Sequence, residues 1–259
     1  MQDLVITLVQ TTLHWHDPAA NRQMLAQKLA GLTEPTDLIV LPEMFTTGFS
    51  MDAPQLAEKP DGPTLDWLKE QAAKHKAVIT GSLITEENGR YYNRLIWMRP
   101  DGSFEHYDKR HLFRMAGEDQ VYTAGTFRLV VTLKGWRICP LICYDLRFPV
   151  WSRNTGPDYD LLLYVANWPA KRSLAWKTLL PARAIENLAY VVSVNRVGTD
   201  GKGILYTGDS AVYQPTGEIT WQQSHEETIQ TVKISHKTLT DYRQSFPAHL
   251  DADSFTLNA

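Results

Sequence analysis

Short, almost wholly apolar runs at residues 4–9, 38–41, 159–166 and 190–194 constrain the fold more than any other feature of this sequence. Runs of that length, rich in Val, Ile and Leu, are buried strands. Helical stretches separate several of them. Residues 18–31 predict a helix, with Pro18 suited to its first turn, Leu25, Leu29 and Leu32 on one stripe, and Gly31 suited to its end. Residues 63–76 predict a second, with Leu65, Leu68 and Ala72 on one face, and residues 173–189 a third, striped by Ala175, Leu179, Ala182 and Ala189. The middle of the chain changes character. Residue 77–84 is a strand, 91–98 and 104–107 join across Asp101-Gly102, 129–133 and 136–142 across Lys134-Gly135, and 211–214 and 218–221 across Thr216-Gly217, with a last strand at 228–234. Alternating strands and helices, then antiparallel hairpins, predict an α/β fold of two sheets covered by helices on the outside. No repeat or low-complexity linker interrupts the 259 residues, so one domain spanning 1–259 is expected, with 235–259, which carry Pro247 and several Asp residues, as an extended C-terminal arm.

Composition removes several function classes. A 43% hydrophobic and 21% charged chain is ordinary for a soluble globular protein. A net charge of -3 argues against a broad nucleic-acid or anionic-membrane surface, and the one short basic cluster is Lys109-Arg110-His111. No apolar stretch approaches the roughly 18 residues of a membrane helix, and the N-terminus lacks the features of a signal peptide. The two cysteines, Cys139 and Cys143, stand four apart around one strand, where a bridge needs unusual geometry. Both are therefore read as thiols, and the protein as cytoplasmic. No second Cys or His pair lies near them to complete a zinc site, so neither metal nor cofactor is expected.

Three strand ends carry reactive groups: Glu43 after Val-Leu-Pro, Lys109 after Tyr107-Asp108, and Cys143 after Pro140-Leu141-Ile142. Groups at strand termini of layered α/β folds converge on clefts, and a carboxylate, an amine and a thiol in one cleft suit acyl transfer. Each has a plainer alternative: a solvated loop glutamate, a basic surface patch, an inert core cysteine. Cys139 keeps that last reading. The surrounding words decide for the other three. LPEMFTTGF, YDKRHLF and ICYDLRFP, in this order and at these separations, resemble the nitrilase superfamily of carbon–nitrogen hydrolases. The resemblance continues through YVANWP, ARAIENLAYV and NRVG and covers essentially the whole chain, looking nearest to bacterial ω-amidases that act on 2-oxo acid amides.

The resemblance implies a four-layer αββα sandwich and a homodimer or higher homo-oligomer. It implies a Glu43–Lys109–Cys143 triad acting on a small-molecule amide through a thioester on Cys143, and hydrolysis of 2-oxoglutaramate and 2-oxosuccinamate to the 2-oxo acid and ammonia. A free thiol has a pKa of about 8.5 and needs help at neutral pH, so Glu43 is expected as the base and Lys109 as a charged oxyanion donor, joined by the backbone N–H of Tyr144. A thiol so activated is expected to react with iodoacetamide faster than a free one. Glu118 either positions substrate and Lys109 or is a plain loop glutamate beside Asp119. Asn167 and Trp168 either line the pocket or belong to the core. Asp145 and Arg147 either shape the nucleophile's turn or form a structural ion pair, the pair being favoured, with Arg147 also a candidate to bind substrate; Glu186 beside Arg183 either makes a buried helix-to-sheet pair or takes a part in catalysis. An ω-amidase must hold a carboxylate at the far end of its substrate; Arg114, Arg147 and Arg172 are the candidates near the motifs. Rival readings are a carbamoyl-amine hydrolase or deaminated-glutathione amidase of the same fold, and a non-catalytic binding subunit. Tyr144-Asp145 after the cysteine, where true nitrilases carry Trp-Glu, favours amides over nitriles.

Overall fold

The computed structural model describes residues 2–156 and 158–256. The chain opens with β1 (Leu4–Gln10), α1 (Pro18–Ala30) and β2 (Leu38–Val40). Two helices follow, α2 (Ala53–Leu56) and α3 (Pro63–His75), then the antiparallel run β3 (Val78–Glu87), β4 (Arg90–Met98) and β5 (Phe104–Asp108). After α4 (Glu118–Val121) come β6 (Val131–Leu133), β7 (Trp136–Ile142), α5 (Pro149–Ser152), β8 (Leu161–Ala166), α6 (Ser173–Asn187) and β9 (Tyr190–Asn195). The chain ends with β10 (Val197–Thr199), β11 (Leu205–Tyr213), β12 (Ile219–Ser224), β13 (Thr228–Ile234) and α7 (His236–Ser245).

The strands form two sheets, one ordered β13-β1-β2-β3-β4-β5 and the other β10-β11-β9-β8-β7-β6 with β12 beside β11. Strand periodicity explains why they stack. Leu4, Ile6 and Leu8 of β1, with Leu38 and Val40 of β2, join a core that includes Ile138, Leu141 and Leu163 of the second sheet. The alternate residues Val9, Ile39 and Ile79 face the other way, onto Leu25 and Leu29 of α1 and Leu65, Leu68 and Ala72 of α3. Trp176, Leu180 and Ala184 of α6 and Leu239 of α7 pack on the second sheet's side of the core. The result is the expected α/β sandwich, with helices outside two facing sheets.

Local chemistry sets the element ends. The Asp17 side chain accepts from Ala20 N–H at the start of α1, where Pro18 loses no hydrogen bond. Left-handed Lys76 and Leu188 stop α3 and α6 before the limits expected from periodicity. The hairpin β3–β4 is longer than expected: Asn88 and Gly89, at φ 54° and 74°, make a two-residue turn that lets pairing run out to Glu87–Arg90. The second sheet holds β10 and the first half of β11, which glycine-rich residues 198–208 hid from a sequence reading. Residues 235–259 are not an extended arm throughout, because His236–Ser245 fold as α7 and bury Leu239.

Candidate active site

Within each sheet the neighbouring strands β1, β2, β3 and β7, β8, β9 run parallel, so their C-terminal ends open to one side. Glu43 lies just past β2, Lys109 immediately after β5, Cys143 immediately after β7, and Asn167 and Trp168 immediately after β8. Glu118 opens α4. The backbone beyond β2 is drawn against β3: Leu41 N–H donates to Thr80 O, Met44 N–H to Ser82 Oγ, and Phe45 N–H to Ser82 O. Met44 and Cys143 both take left-handed backbone, at φ 43° and 44°. Each costs roughly 1–2 kcal/mol for a residue with a Cβ.

Lys109 is the hub. Its ammonium, 1% exposed, donates to Glu43 Oε1 at 2.9 Å and to both Glu118 oxygens at 3.0 Å. Asn93 Nδ2 donates to Glu43 Oε1 at 2.8 Å and to Glu118 Oε1 at 3.3 Å, and Asn93 Oδ1 accepts from Ser82 Oγ. Glu118 Oε2 accepts from Phe113 N–H, and Glu43 Oε2 from Asn167 N–H at 2.7 Å. Two buried carboxylates thus share one buried ammonium. Burial, and Glu43 beside it, push Glu118 above the usual carboxylate range despite Lys109. Burial alone depresses Lys109, but Glu118 and Glu43 more than reverse this and keep it protonated. Cys143 is pushed well above an ordinary thiol, by burial first and by the Glu43 charge second, with Lys109 opposing. Burial and the Glu43 charge thus both favour the protonated thiol, and Lys109 favours the thiolate.

The cleft over Cys143 has a volume of about 290 Å³. Phe49, Phe113, Tyr144 and Trp168 supply its apolar walls, and Lys109, Cys143 and Asn167 line it too. The matching family model, carbon-nitrogen hydrolase, covers residues 5–244.

The chain belongs to the carbon–nitrogen hydrolase family.

Among its relatives, the "Omega-amidase YafV" of Escherichia coli K12 is 50% identical over 258 residues, covering 99% of this chain and 100% of that protein. The "2-oxoglutaramate amidase" of Bacillus subtilis 168 is 31% identical over 250 residues, covering 95% and 96%. A solved superfamily protein from Xanthomonas campestris, with an arsenic adduct in its active site, is 50% identical, matches both chains over 100% of their length, and superposes with a TM-score of 0.98. This carbon–nitrogen hydrolase is an enzyme acting on amide C–N bonds, in the nitrilase-type sandwich.

Several groups that the sequence reading named with alternative roles take one of them in the structure, and Asn195, Asn93 and Ser82 join them unforeseen. Asp145 locks the turn that presents Cys143: it accepts from Ile142 N–H at 3.0 Å, from Tyr107 Oη–H at 2.7 Å and from His111 N–H at 3.0 Å, with His111 Nδ1 at 2.8 Å. It thereby ties the nucleophile's turn to the strand end that carries Lys109. The expected ion pair between Asp145 and Arg147 does not form. Arg147 instead faces the cleft, its guanidinium 5.0 Å from the centre of the Trp168 ring. Trp168, 3% exposed, is both core and cleft wall. Arg183 and Glu186 pair within α6 at 2.9 Å, not from helix to sheet, and Glu186 is partly exposed. Arg114 turns away, pairing with Asp119 while its side chain stays 83% exposed. Asn195 clamps the cleft floor, accepting from Trp168 N–H and donating to Trp168 O. Buried Asn93 and Ser82 were legible only as polar residues inside apolar strands. Among the described residues, no group of three or more His, Cys, Asp or Glu side chains is arranged to hold a metal ion.

The geometry yields an unusual pair of expected results for Glu43→Gln. Removing the charge that helps hold the thiol up lowers the Cys143 pKa while Lys109 still favours thiolate. Iodoacetamide labelling at pH 7 is expected to quicken as amide hydrolysis falls by a factor of about 10² or more. In the parent, labelling should accelerate steadily into the alkaline range. Mass-spectrometric labelling rates across pH check both, and equal rates in parent and variant at pH 7 contradict this account.

Proposed function

We propose that this enzyme is an ω-amidase that hydrolyses the terminal amide of short 2-oxo acid amides, 2-oxoglutaramate and 2-oxosuccinamate, through a thioester on Cys143. The observation that carries the reading is the charge of the cleft. Beyond Lys109 at its floor, whose charge Glu43 and Glu118 offset, Arg147, Lys171, Arg172 and Lys202 line it, and among the described residues no further acidic side chain does. A small, cationic cleft suits a small substrate bearing a carboxylate, and the Escherichia coli and Bacillus subtilis relatives carry amidase names of that kind.

In this scheme Glu43 takes the Cys143 proton as sulfur attacks the amide carbon. The carbonyl electron pair moves to oxygen, where the Lys109 ammonium and the Tyr144 N–H receive it. Tyr144 lies in the first turn of the segment Cys143–Arg147, where backbone donors have no helical acceptor. Collapse breaks the C–N bond, Glu43 returns the proton to nitrogen, and ammonia leaves. Water repeats the sequence on the thioester: Glu43 takes a water proton, the C–S bond breaks, and the proton returns to sulfur. Glu118 holds Lys109 in place and keeps it charged.

Ammonia release from 2-oxoglutaramate by the purified protein tests the proposal; no release with intact Cys143 sinks it. Arg147 and Arg172 are the carboxylate's partners in this reading. Arg147→Ala and Arg172→Ala are each expected to raise KM for 2-oxoglutaramate about 10–100-fold, the loss of a charge-assisted hydrogen bond of roughly 1.5–3 kcal/mol. An uncharged short amide should show little change in either variant, and equal effects on both substrates would count against carboxylate binding. A homodimer belongs to the same proposal, supported by the exposed apolar Leu174 and Ile185 on α6, and light scattering at twice the 29.5 kDa chain mass checks it. So does a reducing, cytoplasmic setting, which keeps the nucleophile a thiol.

A further inference from the structure

Arg172, on the wall of the cleft, rests its charge on a sulfur atom. Its backbone oxygen accepts from Trp168 Nε1–H at 2.8 Å, which pins its main chain. Its guanidinium stands 5.2 Å from the centre of the Phe113 ring, and Nη2 donates to Met115 Sδ at 3.0 Å. Among the described residues no carboxylate pairs with it. A thioether is a weak acceptor, so a carboxylate readily takes such a guanidinium over. Met115 sits in the short turn Arg114–Ala116, which left-handed Gly117 ends at φ 75°. It lines the cleft and is 74% exposed. Met44 and Met98 are buried and Met24 and Met51 half-buried, so Met115 is the most accessible methionine among the described residues.

We propose that Met115 is a reversible oxidation site, and that its sulfoxide competes with the substrate carboxylate for Arg172. This rests on the carboxylate-binding reading above and deepens it. The oxidant is hydrogen peroxide. A sulfur lone pair attacks one peroxide oxygen, the O–O bond breaks, and that oxygen stays on sulfur, which gives up two electrons. The other oxygen leaves as hydroxide, takes the proton of the first and becomes water. The product is a strongly polar S–O group on a side chain that already touches Arg172. Its oxygen accepts from the guanidinium far better than sulfur does, so an incoming carboxylate must displace a strong partner instead of a weak one. Glu43, Lys109 and Cys143 are untouched by this change, and the block falls on the binding of anionic amides. Cys143 is the poorer target: it is 9% exposed, and burial disfavours the thiolate through which a cysteine reacts. Enzymatic reduction of the sulfoxide returns the thioether and lifts the block.

The experiment treats the purified enzyme with hydrogen peroxide, follows the gain of one oxygen on the Met115 peptide by mass spectrometry, and measures KM before and after. KM is the readout because it does not depend on how many molecules survive with an intact Cys143. Oxidation is expected to raise KM for 2-oxoglutaramate about tenfold, the scale of one strong competing hydrogen bond to a charged group. KM for an uncharged short amide should stay within about twofold. Methionine sulfoxide reductases acting on both epimers should restore the starting value. Met115→Leu, which keeps an apolar side chain without the sulfur, should show no rise on treatment, whatever its own starting KM. Arg172→Ala should show none either, because the group that the sulfoxide captures is gone. Met115→Gln, which sets a carbonyl oxygen near that of the sulfoxide, should raise KM for the anionic amide without any oxidant. A rise of equal size in Met115→Leu, an equal rise for the uncharged amide, or full oxidation of Met115 with KM unmoved overturns the proposal. So does a Met115 that stays unoxidised where free methionine reacts. A parent inactive on 2-oxoglutaramate from the start overturns the ω-amidase reading, and this inference with it.

Discussion

Cys143→Ala should lower ammonia release from 2-oxoglutaramate by about 10⁵–10⁶-fold, the usual scale for removing a covalent nucleophile. No neighbour can take over. The other thiol, Cys139, lies inside β7 with no exposure, and burial pushes it up to about 12. The buried carboxylates Glu43 and Glu118 are already engaged by Lys109 and Asn93. The substitution leaves the ammonium, both carboxylates and the Asp145-locked turn in place. Substrate affinity should therefore persist, and calorimetric binding of 2-oxoglutaramate to the variant separates recognition from chemistry. Thermal stability should move little, because Ala suffers the same left-handed backbone as Cys and loses only one buried sulfur. Residual turnover within tenfold of the parent would exclude Cys143 as nucleophile and require a different chemistry for the same cleft.

Lys109→Met is expected to damage both folding and catalysis. Methionine nearly fills the volume but leaves Glu43 and Glu118 facing each other, both 0% exposed, without the cation between them. Breaking a buried ion pair from one side typically costs about 3–5 kcal/mol. The loss should also depend on pH. A carboxyl whose folded-state pKa lies above its unfolded value binds its proton more tightly in the fold. Its contribution is present at low pH and is lost as pH rises through the folded value. Glu118 is already raised above its ordinary 4.5 with Lys109 present, and without the ammonium it rises further. The melting temperature of the variant should therefore fall more steeply than the parent's from about pH 4.5 upward. Catalysis loses the oxyanion donor, a factor of about 10²–10³, and more wherever the carboxylates take up protons. Circular dichroism melts across pH, beside kinetics at the variant's most stable pH, separate the two losses. A variant as stable as the parent at pH 8 would mean that the carboxylates do not depend on Lys109.

Glu43, Lys109 and Cys143 each follow a strand, where a layered fold gathers side chains, but it was the words LPEMFTTGF, YDKRHLF and ICYDLRFP around them that set them apart. Glu118 could be suspected but not placed: nothing in Met-Ala-Gly-Glu reveals that the Phe113 N–H and the Lys109 ammonium both close on its carboxylate. The ion pair expected between Asp145 and Arg147 failed for a related reason. Neighbours in sequence need not be partners: Asp145 satisfies donors from residues as distant as Tyr107, and Arg147 faces the cleft. Asn93 could not be assigned because a strand residue reveals its role only through its spatial neighbours, here Ser82 on the adjacent strand and the Glu43 and Glu118 carboxylates. Helix α7 was missed because Leu239 is its single buried side chain, too little for a periodic signal. The β3–β4 turn was there to be found in Asn88-Gly89, and stopping the strand at Ile84 passed over it.

Strand β13 pairs with β1 over seven residues, so a strand made early is completed by one made late. Thr7 and Thr231 touch through their hydroxyls across 224 positions of chain. On the ribosome, at about 5–20 residues per second, that interval is on the order of 11–45 s. Throughout it the flank of β1 that will receive β13 is open, a row of unsatisfied amides and carbonyls of the kind that invites pairing with another chain. Glu43, Lys109, Glu118 and Cys143 are all synthesised before the strand that closes the first sheet. Yield in cells should depend on synthesis rate and chaperone supply during that gap, more than on the stability of the finished enzyme.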